Sequence, residues 1–129
     1  MARLIARLAQ NTGVHVAVGF LAMGSWAVYA NSAHPMPKPL LAGLVQGALS
    51  GAITYALKRS LDGLRARMAR GLGWWLPPLI ALALSLCLLV GAHFLAGTPE
   101  IARTISVPYS VACLYAVTYN FLMWRRDAK

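Results

Sequence analysis

Long apolar segments without a charged side chain alternate with short charged stretches along this chain of 129 residues. Four runs contain no Asp, Glu, Lys or Arg: residues 8–37, 39–57, 71–99 and 104–124, of 30, 19, 29 and 21 residues. A helix needs about 20 apolar residues to cross the hydrocarbon core of a membrane, so each run can hold one span. We place the spans at about 12–30, 39–57, 76–96 and 103–124. The pattern predicts an all-α integral membrane protein with four transmembrane helices in a single domain over residues 1–129.

The composition supports this interpretation. Hydrophobic residues make up 59% of the chain and charged residues 12%, with a mean hydropathy of +0.60. Soluble domains have about a quarter charged residues, so this chain has too few polar side chains to cover a surface that faces water. None of the apolar runs shows the alternation expected of barrel strands, which leaves helices as the membrane-spanning elements.

The basic residues are unevenly divided between the two sides that four spans create. Only Lys38 and Arg103 fall on one side. The other side has ten: Arg3, Arg7, Lys58, Arg59, Arg65, Arg67, Arg70, Arg125, Arg126 and Lys129. Because Lys and Arg accumulate in cytoplasmic loops, we expect both termini to be cytoplasmic, in a bacterial inner membrane. The net charge of +9 then indicates topology and contact with anionic lipid headgroups rather than nucleic-acid binding.

The first predicted span has two interpretations. Arg3 and Arg7, an apolar stretch and the sequence Val28-Tyr29-Ala30 are compatible with a cleaved signal peptide. We expect the segment to be retained as a span, because its apolar stretch exceeds the usual core of about 7–15 residues in a signal peptide.

The second predicted span carries the most informative pattern. Small and polar residues recur there every four positions and share one side of a helix: Gly43, Gly47, Gly51, Gln46, Ser50 and Thr54. Glycines at this spacing let two helices pack closely, so one interpretation is helix packing, with Gln46 bonded to a neighbouring helix. The other interpretation is a polar groove along a substrate path. Residues on the opposite side, Ile53 among them, are predicted to face lipid.

The fourth predicted span repeats this design more weakly. Its polar residues also share one side of a helix: Ser106, Tyr109, Ser110 and Asn120. They would form the second half of a substrate path, with helix packing again as the alternative. Pro108 removes one backbone donor near the start of this span.

A basic stretch follows the second span. Leu57, Leu61 and Leu64 continue the helical spacing on one face. The other face carries most of the charge: Lys58, Arg59, Arg65, Arg67 and Arg70. The spacing predicts that the helix continues past the membrane as a basic amphipathic extension, whose cations contact anionic headgroups on the cytoplasmic side. A solvated charged face is the alternative.

A cluster of titratable residues falls at the opposite, outer rim. It contains His34, His93, Glu100 and Arg103, and the last two are one helical turn apart. One hypothesis is that His93 titrates beside Glu100 and gates access or binds a headgroup. The alternative is a local ion pair with a histidine that has its hydrogen bonds satisfied.

The sequence offers little for catalysis. Its three carboxylates, Asp62, Glu100 and Asp127, all fall outside the predicted spans, so paired acids for glycosyl transfer and an intramembrane acid for proton coupling are missing. No motif of a serine hydrolase, zinc protease, phosphate loop or thiol redox centre occurs. His15 and His93 fall towards opposite faces of the membrane, too far apart to share a metal. We therefore expect no enzymatic activity, no cofactor and no metal site.

Two function classes fit these features. The leading hypothesis is a small inner-membrane transporter or flippase that moves an amphipathic or lipid-linked substrate along the polar stripes. The alternative is an accessory or assembly subunit that docks on a membrane-protein partner through the glycine zipper of Gly43, Gly47 and Gly51. Four short helices barely enclose a passage, so transport favours a parallel homodimer.

The end of the fourth span carries a resemblance. Tyr119-Asn120-Phe121-Leu122, followed by Arg125 and Arg126, together with the small size, four spans and inward termini, resembles the GtrA-like small membrane proteins. This family is linked to the movement of lipid-linked sugars, which the resemblance implies as a substrate class. The second span ends differently, with Tyr55-Ala56-Leu57-Lys58-Arg59 in place of an Asn-Phe pair, and no functional residue is carried over.

Overall fold

The computed structural model contains five α-helices and no strand; it describes the backbone of residues 1–129 and all side chains except those of residues 6, 8–10 and 12. The helices are α1 (Ala2–Gln10), α2 (Thr12–Ala30), α3 (Lys38–Arg67), α4 (Leu76–Leu95) and α5 (Ile101–Arg126). Helices α2 to α5 are each long and apolar enough to cross a membrane. This confirms the predicted all-helical architecture with four candidate spans, and the chain is an integral membrane protein by these criteria.

The short helix α1 was not predicted. Asn11 separates it from α2, where its side-chain oxygen accepts hydrogen bonds from the backbone N–H groups of Gly13 at 2.9 Å and Val14 at 3.3 Å. This is an N-cap, which satisfies donors that the first turn of a helix leaves unpaired. The cap fixes the start of α2 at Thr12.

Helix α3 is the central element, because it packs against α2, α4 and α5. Its contact with α2 depends on glycines from both helices. A methyl group added at Gly24 of α2 would lie 2.9 Å from the carbonyl oxygen of Gly43, and one added at Gly47 would lie 2.9 Å from the Phe20 ring. The glycine face of α3 is therefore covered by α2 within the same chain.

The opposite side of α3 is also covered. Ile53, Leu57 and Leu61 are buried in an apolar core with Leu89 of α4 and Ala116 of α5. The prediction that Ile53 faces lipid is wrong, because α3 has neighbours on both sides. Leu57 and Leu61, the apolar face of the predicted extension, pack against the protein.

Helices α2 and α5 meet at only one end of the bundle. We call this the Asn31 end, where α2 finishes and α5 begins, and we call the opposite end the Lys58 end. Trp26 donates to the carbonyl oxygen of Arg103 at 3.1 Å, and Asn31 bonds to Thr104 at 2.7 Å. Towards the Lys58 end a cavity separates the two helices.

The close contact between Gly24 and Gly43 predicts how a substitution at Gly24 affects stability. Gly24→Ala should lower the free energy of unfolding by about 1–3 kcal/mol, since the new methyl meets a backbone oxygen that cannot move without shifting a helix. Heating in detergent followed by gel filtration measures the effect as the loss of the non-aggregated protein peak. Gly91→Ala is the matched control, because a methyl there meets nothing within 4 Å and alanine is the better helix former. Equal midpoints for the two variants would contradict the proposed packing.

Candidate functional site

A cavity of about 360 Å³ lies between α2 and α5, with α3 as its floor. Gly19 and Met23 of α2 form one wall, and Pro108 and Tyr115 of α5 form part of the other. The volume lies at the lower end of the range for small-molecule sites. Most of the lining side chains are apolar, so the cavity can hold a hydrocarbon chain.

One row of polar side chains crosses the floor of this cavity. We call Gln46, Ser50, Thr54 and Lys58 the polar ridge; all four line the cavity and recur every fourth residue of α3. This spacing aligns side chains along one face of a helix, and 12 residues at about 1.5 Å each give a ridge about 18 Å long. The hydroxyl of Ser50 donates to the Gln46 carbonyl at 2.9 Å, and that of Thr54 to the Ser50 carbonyl at 2.8 Å. The ridge thus offers polar groups along an apolar passage.

The deep end of the ridge is held by His93 of α4. Its Nε2 lies 2.9 Å from Oε1 of Gln46, and its Nδ1 lies 2.8 Å from the hydroxyl of Thr98. Gln46 and His93 are fully buried. The turn after α4 brings Thr98 back over the ring: Gly97 adopts φ +69°, and the N–H of Thr98 donates to the His93 carbonyl at 3.0 Å. This is the Schellman arrangement, in which glycine is the residue that takes positive φ without strain.

The Asn31 end is closed by a set of hydrogen bonds that we call the Asn31 clasp. The amide nitrogen of Asn31 donates to the Ala27 carbonyl at 2.8 Å and to the Thr104 hydroxyl at 2.7 Å, while its oxygen accepts from the Glu100 N–H at 3.0 Å. Asn31 and Thr104 are fully buried. One side chain at the end of α2 therefore also satisfies a backbone donor at the start of α5.

A charged network closes the Lys58 end. Arg65 donates to Asp62 and Asp127, each at 3.0 Å, and to Asn120 Oδ1 at 3.4 Å. Tyr119 also donates to Asp62, at 2.9 Å. We call these residues the Asp62 network. It joins the end of α3 to the end of α5.

Asn120 has further partners within the same end of the bundle. Its amide nitrogen donates to the carbonyl oxygens of Gly73 at 2.9 Å and Trp74 at 3.0 Å. Asn120 was predicted on the substrate path, but the structure places it in a structural junction away from the cavity lining. Arg65, predicted to contact headgroups, has a side chain only 11% exposed and is paired with two carboxylates.

The other predicted path residues of α5 also lie outside the cavity lining. Ser106 and Ser110 are exposed, with hydroxyls donating to the carbonyls of Arg103 and Ser106, each at 2.7 Å. Tyr109 is half-buried and donates to the Leu82 carbonyl of α4 at 3.2 Å. The structure therefore brings Gln46, Ser50 and Thr54 together at the cavity and directs the α5 residues elsewhere.

The predicted rim cluster divides into two groups. His34 Nε2 lies 3.0 Å from Glu100 Oε1 in a half-exposed hydrogen-bonded pair, and the Arg103 guanidinium lies 5.4 Å from the centre of the Tyr29 ring. His93 points into the bundle instead. Its partner is Gln46, and Glu100 is paired with His34.

The basic residues predicted to contact headgroups are mostly exposed at the Lys58 end. Lys58 is paired with Asp62 at 3.1 Å and lies 5.6 Å from the Tyr119 ring centre. Arg59 and Arg70 lie 6.0 and 5.9 Å from the ring centres of Tyr55 and Trp124. Arg67 donates to the Gly63 carbonyl at 2.8 Å. The cation–π pairs of Lys58, Arg59 and Arg70 hold these exposed cations beside aromatic rings.

Sequence reasoning did not assign Asn31, Thr104 or Gly24 to any site. Asn31 and Thr104 are separated by 73 residues, and no local pattern links them. The sequence does contain a pattern that predicts the α2 wall, because His15, Gly19 and Met23 recur every four residues. All three line the cavity. Within the described side chains, no three His, Cys, Asp or Glu groups converge as a metal site requires.

Comparisons with protein-family models, curated proteins and solved structures find no significant match to this chain.

The Asn31 clasp makes a prediction about stability. Asn31→Ala should cost about 1–3 kcal/mol of unfolding free energy, because the buried Thr104 hydroxyl loses its donor and the Glu100 N–H loses its acceptor. Asn11→Ala, at an exposed cap, should cost about 1 kcal/mol, since water can replace the lost bonds. Thermal unfolding in one detergent compares the two. An Asn31→Ala protein as stable as the Asn11→Ala protein would show that the clasp contributes little.

Proposed function

We propose that the protein is a small inner-membrane transporter or flippase that moves an amphipathic or lipid-linked substrate along the polar ridge, without enzymatic chemistry. The observation that supports this most directly is a row of four polar side chains on the floor of a cavity whose lining is otherwise largely apolar. A ligand with a polar head and a hydrocarbon tail satisfies both surfaces. A purely polar solute would leave the apolar walls in contact with water, at a free-energy cost.

The cavity geometry supports a substrate that enters from the lipid. The cavity lies between α2 and α5, whose mutual hydrogen bonds are at the Asn31 end. The gap between these helices gives a tail lateral access, while the head follows Ser50 and Thr54. A volume of about 360 Å³ suits one chain or one headgroup rather than a complete two-chain lipid.

The distribution of basic residues gives the proposed orientation. Lys and Arg favour cytoplasmic positions, so the Lys58 end faces the cytoplasm, and both termini are there too. In this orientation the cavity lies towards the cytoplasmic side and the Asn31 clasp closes the outer side. Helix α3 has 30 residues, or about 45 Å, against a hydrocarbon core of about 30 Å. Its basic end therefore reaches the headgroup region, where Arg59 and Arg67, together with Arg70 just after the helix, meet anionic lipids.

The alternative, an accessory subunit that docks through the glycines of α3, has less support. Gly43 and Gly47 are already in contact with α2, so a partner helix could reach them only by displacing α2. A homodimer remains part of the proposal, because a second copy in parallel orientation would supply the wall that four helices leave open.

Transport along the polar ridge predicts that a substitution at Ser50 stops flux and that the same substitution at Ser110 does not. Ser50→Leu should reduce flux to the level of protein-free vesicles, because it places a branched apolar side chain across the polar ridge. The assay is the transbilayer movement of a fluorescent single-chain lysophospholipid in vesicles that contain the purified protein. Because Ser50 lines the cavity, the assay tests whether flux depends on a side chain at this position.

Ser110→Leu is the matched control. Its hydroxyl also donates to the carbonyl four residues earlier, at 2.7 Å, but the residue is exposed on the outside of α5. It should retain the flux of the unaltered protein. Equal flux for both variants would contradict a path along the polar ridge.

The orientation has its own test. A fluorescent protein fused after Lys129 should fold and emit, because the fusion point is cytoplasmic, and alkaline phosphatase at the same point should be inactive. Fusion in the segment that contains Ser32 should give the reverse pattern. Active phosphatase after Lys129 would overturn the proposed topology.

A further inference from the structure

A buried histidine connects the cavity to the closed end of the bundle. His93 is fully buried, and its two ring nitrogens bond to Gln46 on the polar ridge and to Thr98 in the turn before α5. The proposed transport path does not use this imidazole. Gln46 links it to the substrate cavity, and Thr98 links it to the end that must open for release.

The surrounding bonds define where hydrogen atoms lie. The Ser50 hydroxyl donates to a helix carbonyl, so its oxygen acts as acceptor towards the Gln46 side chain, whose nitrogen is 3.2 Å away. The Gln46 oxygen then faces His93 and can only accept, which places a hydrogen on Nε2. Nδ1 is left with a lone pair, and it accepts from the Thr98 hydroxyl. In this arrangement the imidazole is neutral and both nitrogens are satisfied.

A proton added to Nδ1 disrupts this network. Nδ1 becomes a donor, and the Thr98 hydroxyl must rotate and find a new acceptor for its hydrogen. The imidazolium is also buried without a carboxylate partner among its described contacts. An unpaired charge in a membrane interior is strongly disfavoured. A conformation that lets water reach His93 is therefore favoured by protonation.

The charged groups on the helices around His93 do not offset this charge. At the Asn31 end, α3 contributes Lys38 and α5 contributes Arg103, and both are exposed cations. Glu100 is the carboxylate at this end, and it pairs with His34 at 3.0 Å.

We propose that His93 is a proton-binding site whose occupation opens the Asn31 end of the cavity. Together with the proposed transport function, this site makes access to the cavity from the outer side depend on the protonation of His93. The opening itself can be measured without a transport assay. A neutral His93 closes the end through Gln46 and Thr98, and a protonated His93 releases it.

The test measures exposure of Ala30, which is 1% exposed beside the Asn31 clasp. The protein carries Cys87→Ala, Cys113→Ala and Ala30→Cys, and a water-soluble maleimide labels it in vesicles between pH 8 and pH 5, the interval in which histidine changes charge. Rates are divided by those of a Ser32→Cys protein, an exposed position at the same end, to remove the pH dependence of thiol reactivity. The ratio should rise about tenfold, equivalent to about 1.4 kcal/mol, as the pH falls.

His93→Gln should abolish the rise, since glutamine bonds to its neighbours without titrating. His34→Gln is the matched control and should retain the rise, because His34 bonds to Glu100 and not to His93. Thr98→Val should move the midpoint of the rise in labelling ratio to higher pH, because it removes a hydrogen bond that favours the neutral ring. This shift tests the proposal even if the His93→Gln protein does not fold. A ratio that stays constant with pH, or that still rises in a folded His93→Gln protein, overturns the proposal.

The two proposals can fail separately. Acid-dependent labelling without any lipid movement would leave His93 as a proton site in a protein of another function. Lipid movement without acid-dependent labelling would keep the transport function and reject the role of His93.

Discussion

The structure depends on the need to pair every polar side chain that enters the apolar interior. Water is scarce there, so an unpaired donor or acceptor costs far more than at a soluble surface. Among the described side chains, no buried polar atom lacks a hydrogen-bond partner. Gln46 finds His93, and Asn31 finds Thr104 and the Glu100 backbone. These obligatory pairs fix which helices are neighbours and at what depth they meet.

Close packing of α2 on α3 makes a different contribution. Gly24 and Gly43 bring the two backbones into contact, and Gly43 and Gly47 leave room for the Val28 and Phe20 side chains of α2. In the bilayer, where lipid tails are as apolar as leucine, such contacts supply the association energy that burial gives in water. Helices α2 and α3 therefore form a firm hairpin, and α4 and α5 form a second hairpin against it. The cavity lies along the boundary between the two.

The sequence predicts some of these features and not others, for a physical reason. Span positions follow from charge, because ionised side chains are costly in lipid wherever the partner helices are. The apolar stretches of the four long helices coincide with the charge-free runs, and α3 and α5 continue into charged residues at their ends. The side of α3 with Gly47 and Ser50 follows from local periodicity. The helix that packs on that side cannot be predicted from local periodicity, since nothing in the local sequence pairs Gly24 with Gly43. Links such as His93 with Gln46 join residues 47 apart, and only the tertiary fold determines them.

The two ends of the hairpin boundary differ in the chemistry that closes them. At the Lys58 end, Arg65 forms ion pairs with Asp62 and Asp127. At the Asn31 end, the half-exposed His34–Glu100 pair and the Arg103 guanidinium near the Tyr29 ring involve charged groups. The described hydrogen bonds between hairpins that remain there are neutral bonds of amide, hydroxyl, indole and imidazole groups. Charge-assisted hydrogen bonds are roughly twice as strong as neutral ones. Separation at the Asn31 end therefore breaks weaker bonds while the Asp62 network holds the hairpins together. If transport requires alternation, the Asn31 end is the one that this chemistry allows to open first.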